Sequence, residues 1–145
     1  MECNCIIGNI NFISNISDKF LDDKIKKDGL PILRTHIKLF FILPYSRQPM
    51  LFNEVWRTWG ISKSSLSDIV LKYVKLGLIE RKDCPEDKRT IYLNLTEKAY
   101  PIIDKLSKYE DEFTNILLEG FCKDKYIFKD NIYKALKNAE KYLSL

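Results

Sequence analysis

The most constraining stretch is "GISKSSLSDIVLKYVKLGLIERKDCPEDKRTIYLNLTEKA", from Gly60 to Ala99. Within it a helical period gives way to a period of two across one charged turn. Leu66, Ile69, Val70, Tyr73 and Val74 recur at spacings of three and four, which predicts a helix with one apolar face. Ser62 precedes that run and is suited to accept an orphan N–H of its first turn. Gly77 follows it, where a left-handed residue closes a helix. Then "LIERKD" and "RTIYLNLT" read as strands around "CPEDK", with Ile91, Leu93 and Leu95 on one side and Thr90, Tyr92 and Asn94 on the other. Thr96 is placed to cap the helix that follows.

Upstream, Ile6, Ile10, Ile13, Ile16, Phe20 and Leu21 predict a first helix over about 7–27, stopped by "KDGLP". A second helix is expected over "ILRTHIKLFFIL", and a short third over "LFNEVWRTW", ending at Gly60. Only "GIS" separates the third helix from the capped fourth, the tight bend of a helix-turn-helix. Downstream, Ile102, Leu106, Tyr109, Phe113 and Ile116 form one stripe and Ile132, Leu136, Ala139 and Leu143 another. The fold class expected is therefore mainly α with a small β-hairpin wing: a winged helix-turn-helix flanked by N- and C-terminal dimerisation helices. The chain's 145 residues read as a single domain. The winged core covers about 31–100, and the dimerisation helices about 6–27 and 100–145.

Charge points to a location on the fold more than to a partner. The net charge is only +4, but residues 57–105 carry ten basic and seven acidic side chains while the last forty are balanced. The excess therefore sits on the capped helix and the hairpin. The apolar run "LFFIL" is far too short to span a membrane, and "MECNCIIGNINF" lacks the basic and long apolar regions of a secretory signal, so the expected location is the cytoplasm. Four cysteines in such a chain read as thiols, not a disulfide framework. One histidine, no Gly-rich phosphate loop and no clustered acids leave no acid, base and nucleophile to assign, so an enzyme is not expected. No cofactor or metal is expected either.

The segment Gly60–Ala99 resembles the core of the MarR-type transcription regulators. The resemblance rests on Ser62-x-Ser64-Ser65, on Gly77-Leu78-Ile79, on Asp87-x-Arg89 and on Leu95-Thr96-Glu97-Lys98. It implies a homodimer of triangular outline with the terminal helices at its interface. It also implies that the helix after Ser62 enters the major groove of double-stranded DNA at an inverted-repeat operator, and that Arg89 reaches the minor groove or its phosphates. The chain departs from the family pattern at Ala99, Pro101, Trp56, Asp68 and Leu71, so operator sequence does not transfer.

The DNA-binding candidates are Ser62, Lys63, Ser64, Ser65, Ser67, Asp68, Lys72, Lys88 and Arg89, with Asp87 orienting the wing. The serines suit bases or phosphates and the lysines phosphates; the competing reading is a solvated face. Trp56 and Trp59 read as core, and His36 as a partly buried side chain rather than a metal ligand. Cys3 and Cys5 are possible redox residues. The function expected is a regulator whose operator occupancy a small-molecule effector alters. The alternatives are a thiol-based redox regulator of the same fold and a winged-helix protein-interaction module without DNA binding.

Overall fold

The periodicity at the start of the chain becomes α1 (Ile6–Lys27) in a computed structural model, which describes residues 5–46, 48–120 and 124–143. Cys5 caps this helix, its Sγ accepting from the Gly8 N–H at 3.4 Å. At the other end the Leu30 N–H reaches back to the Ile25 carbonyl, with Gly29 left-handed at φ +60°. The expected second helix is divided. Arg34–His36 is a 3₁₀ turn and α2 covers Ile37–Ile42. Arg34 ties that turn to α1 through Asp18 at 2.8 Å and Asp22 at 3.1 Å.

Next come β1 (Met50–Leu51), α3 (Phe52–Trp59), α4 (Lys63–Lys75), β2 (Ile79–Asp83), β3 (Ile91–Leu95), α5 (Tyr100–Leu117) and α6 (Lys125–Leu143). The wing has three strands rather than two. Met50 pairs with Leu93 and Leu51 with Tyr92, so β3 lies between β1 and β2, antiparallel to both. β1 is the strand that the sequence does not announce, because two residues carry no alternation. It leads directly into α3, whose Glu54 carboxylate accepts from the Leu51 N–H at 3.2 Å.

Two compact units divide the chain, Met1–Ser107 and Lys108–Leu145, with the boundary inside α5. The core of the first unit is built from α2, α3, α4 and the sheet: Leu39, Phe40, Val55, Leu66, Val70, Tyr73, Leu78, Ile79 and Leu93 are all buried. Each such side chain contributes about 1.5–3 kcal/mol of transfer free energy, which fixes the angle of α4 against its neighbours. In the second unit Asp124 caps α6, accepting from the Tyr126 and Ile127 N–H groups. Lys125 and Lys129 of α6 pair with Glu110 and Asp111.

The apolar stripes at the two ends are exposed in this single chain. Ile6, Ile10, Ile13 and Ile16 on α1 and Ile132, Leu136 and Leu143 on α6 are all more than 40% accessible. No helix among the described residues is long and apolar enough to cross a membrane.

Candidate nucleic-acid interface

α4 begins as its sequence requires. Ser62 is its N-cap, and the Ser62 Oγ accepts from the Ser65 N–H at 3.1 Å. The same hydroxyl donates to the Ser65 Oγ at 2.7 Å and lies 3.1 Å from the Ser64 Oγ. Ser62, Lys63, Ser64 and Ser65 are exposed, so three hydroxyls and an ammonium cluster where N–H groups point out of the helix. The first turn carries no acidic residue. Such an end attracts an anion. Lys63 folds back, its Nζ 4.5 Å above the Trp56 ring, which places its charge between α3 and α4.

Asp68, Leu71, Lys72 and Lys75 are exposed along the rest of the helix. Ser67 departs from the open polar face: it is half-buried, at the border of the face formed by buried Leu66, Val70 and Tyr73. The turn before α4 is closed by Gly60, left-handed at φ +77°, whose N–H donates to the Trp56 carbonyl at 3.0 Å. Trp56 and Trp59 are half-buried, not core. The Trp56 indole N–H donates to the Ile61 carbonyl at 2.6 Å, so one ring edge stays at the surface to brace the turn.

The far end of α4 carries a correction. Thr96 does not cap the next helix with its side chain. Its hydroxyl donates instead to the Gly77 carbonyl at 2.6 Å, and Lys98 Nζ donates to the Leu76 carbonyl at 3.1 Å. Both serve carbonyls that the end of α4 leaves unpaired. The Thr96-Glu97-Lys98 segment thus fastens β3 to the last turn of α4.

A second anchor lies under the helix. The buried Tyr73 hydroxyl accepts from the Leu33 N–H at 3.2 Å and lies 2.9 Å from His36 Nδ1. The Tyr73 hydroxyl thus ties the 3₁₀ turn to α4 through both contacts. Burial, and secondarily the nearby Lys72 charge, hold the His36 pKa below its usual value. Burial raises that of Tyr73. Folding favours the neutral imidazole, so its contribution to stability is full above the unfolded value near 6.5 and is lost as pH falls through the lower folded value. Urea midpoints taken from pH 7.5 down to pH 5 should fall more steeply for wild type than for His36→Gln. Parallel curves would show that His36 does not sense folding.

The wing tip is ordered by its own acids. Asp87 accepts from the Arg89 N–H at 2.9 Å and from the Thr90 hydroxyl at 3.0 Å, so it shapes the loop through the Arg89 backbone rather than the guanidinium. On β2, Arg81 pairs with Asp83 and Lys82 with Glu80. Among the described residues Lys88 and Arg89 make no ion pair, and both are exposed. The two cations at the tip are therefore available to an external anion.

Cys5 and Cys84 are free thiols, while Cys3 and Cys122 lie outside the described residues. Among the described residues, no group of three or more His, Cys, Asp or Glu side chains could hold a metal ion.

No family model matches the chain. Solved structures do. A MarR transcriptional regulator from Methanosarcina mazei has a TM-score of 0.78 at 19% identity, over 94% of this chain and 97% of that one. MepR from S. aureus, in a DNA-binding conformation, gives 0.73 at 16% identity, over 93% and 98%. A mutant MarR from E. coli complexed with operator DNA gives 0.69 at 17% identity, over 88% and 89%. Agreement of this extent at such low identity is agreement of backbone, and by that backbone the chain has the winged helix-turn-helix fold of the MarR-type transcription regulators.

Proposed function

We propose that the protein is a homodimeric, sequence-specific DNA-binding transcription regulator, and not an enzyme. The observation that carries this reading is the α4 N-terminus, where exposed Ser62, Ser64 and Ser65 cluster on a helix that starts without an acidic side chain. An E. coli relative of the same fold was crystallised with operator DNA. By that likeness α4 lies in the major groove, with its first turn nearest the base edges. Lys72 and Lys88 neutralise phosphates, and Arg89 reaches the minor groove or its flanking phosphates. Asp87 sets the loop that presents Arg89. The exposed apolar stripes of α1 and α6 are covered by a second copy about a twofold axis. Two recognition helices then address an inverted repeat with half-sites about 34–36 Å apart. An effector that binds one dimer geometry better than another shifts operator occupancy by that difference in affinity.

Binding of the full chain to duplex DNA over a series of salt concentrations tests the reading directly. Arg89→Ala is the sharpest variant, because Arg89 has no ion pair to lose among the described residues. It should weaken binding at low salt and flatten the salt slope by about one counterion per protomer, with the melting temperature unchanged. Identical titrations for wild type and variant would remove the wing from the interface. Absence of salt-dependent binding to duplex DNA would instead favour a protein partner. Cys5→Ser keeps a capping atom at the start of α1 and should leave affinity and any peroxide response unchanged. A peroxide-induced loss of binding that disappears in this variant would make the protein a thiol switch.

A further inference from the structure

On the outer face of α4, Ser64, Asp68, Leu71 and Lys75 follow one another at spacings of four, three and four, and all four are exposed. Leu71 is the anomaly. Its side chain is 44% accessible in the middle of a polar face, while the apolar face of the same helix is fully used by Leu66, Val70 and Tyr73. Packing within the chain therefore does not explain it. Lys72 and Lys75 flank it, and Lys63 stands at the start of the helix. A partner for this surface has to combine negative charge around the edge with an apolar spot at the centre. Duplex DNA has that combination in the major groove, where the thymine C5-methyl group stands between two rows of phosphates.

Asp68 points the same way. A carboxylate on a phosphate-facing surface would be repelled, whereas over base edges it can accept from the exocyclic amine of cytosine. One helical turn separates Asp68 from Leu71, so the two side chains address adjacent steps of the groove.

We infer that Leu71 is a specificity-determining residue that packs against a thymine methyl group in each half-site, with Asp68 selecting the neighbouring base. This rests on the DNA-binding reading above. It goes further in naming which base a side chain outside the polar set selects, and the chemical group through which it does so.

The test begins with selection of bound duplexes from a random pool by the full-length protein. Each thymine in the selected half-site is then replaced in turn by deoxyuridine, which removes the methyl group and nothing else. One position per half-site should weaken wild-type binding by about fourfold, the equivalent of one buried methyl group. Leu71→Ala, on an exposed position, should fold normally and bind the thymine and uracil duplexes equally. Leu71→Met, which keeps an apolar contact, should restore the difference. Uracil tolerated at every position by wild type, or an undiminished uracil penalty in Leu71→Ala, would overturn the inference while leaving DNA binding intact. A pool that yields no preferred sequence would overturn both, and is distinguishable because wild type then binds every duplex alike or none.

Discussion

Replacing Ser64 by Glu should remove specific DNA binding and leave the fold as stable as before, or slightly more so. Ser64 is the second residue of α4 and is exposed. The bond that caps the helix runs from the Ser65 N–H to the Ser62 Oγ and does not involve Ser64. A carboxylate in this first turn, which has none, meets the positive end of the helix and should stabilise it by about 0.3–1 kcal/mol. On DNA the same carboxylate enters the negative potential of the groove, between two rows of phosphates, where a serine hydroxyl stood. Like charges brought together at an interface cost several kcal/mol, so affinity should drop by about 100-fold or more. Stability and binding thus move in opposite directions, which separates a lost contact from a damaged protein. Asn138→Glu, the same change of charge on an exposed part of α6, supplies the control for net charge. Thermal melts and operator titrations on the three proteins would decide the matter. A Ser64→Glu protein that binds as well as the Asn138→Glu protein would place the DNA-contacting surface elsewhere.

The serine cluster is legible in the sequence because a helix start is a local event. Ser62, the apolar spacing after it and Gly77 at its end are all within sixteen residues, and α4 runs between them as Lys63–Lys75. The alternation of β3 is legible for the same reason. The features that escape are those in which distant residues meet. Thr96 has the chemistry of a helix cap, and local logic gives it to the following helix. The nearer need is the Gly77 carbonyl, nineteen positions back in sequence. The bonds of Tyr73 to Leu33 and His36 span 40 and 37 positions, and no spacing rule reaches that far. Trp56 resembles core in the sequence because large aromatics usually are core. Its N–H finds a carbonyl at the rim and its face finds Lys63, and both hold it at the surface. The sequence marks Asp87 as a neighbour of Arg89 but not which atom it holds. A backbone N–H two residues away is closer at hand than a mobile guanidinium.

The largest effect is expected at α6. Ile132 and Leu136 lie one turn apart and are 58% and 53% accessible, among a run that includes Ile127, Tyr133 and Leu143. α1 carries a comparable exposed set in Ile6, Ile7, Ile10, Phe12 and Ile13. Water-facing aliphatic surface of this extent is more than an isolated soluble chain normally carries. On the homodimer reading proposed above, a second copy about a twofold axis would cover each of these stripes on both chains with one set of contacts. Ile132→Glu with Leu136→Glu should then convert the proposed dimer to a monomer. Neither side chain is part of a buried core within the chain, so helicity should be retained. The two half-sites would then be bound independently. Loss of the tethered second contact should lower operator affinity by about 100-fold or more, although every residue of α4 and the wing is untouched. The melting temperature of wild type should rise with protein concentration, and that of the variant should not. Light scattering after size exclusion, circular dichroism and operator titration on the same samples measure all three quantities. A dimer that survives two buried carboxylates per chain would show that α6 is not at the interface. A monomer that still binds the full operator at wild-type strength would show that DNA recognition needs only one winged helix, and the apolar stripes would then need another purpose.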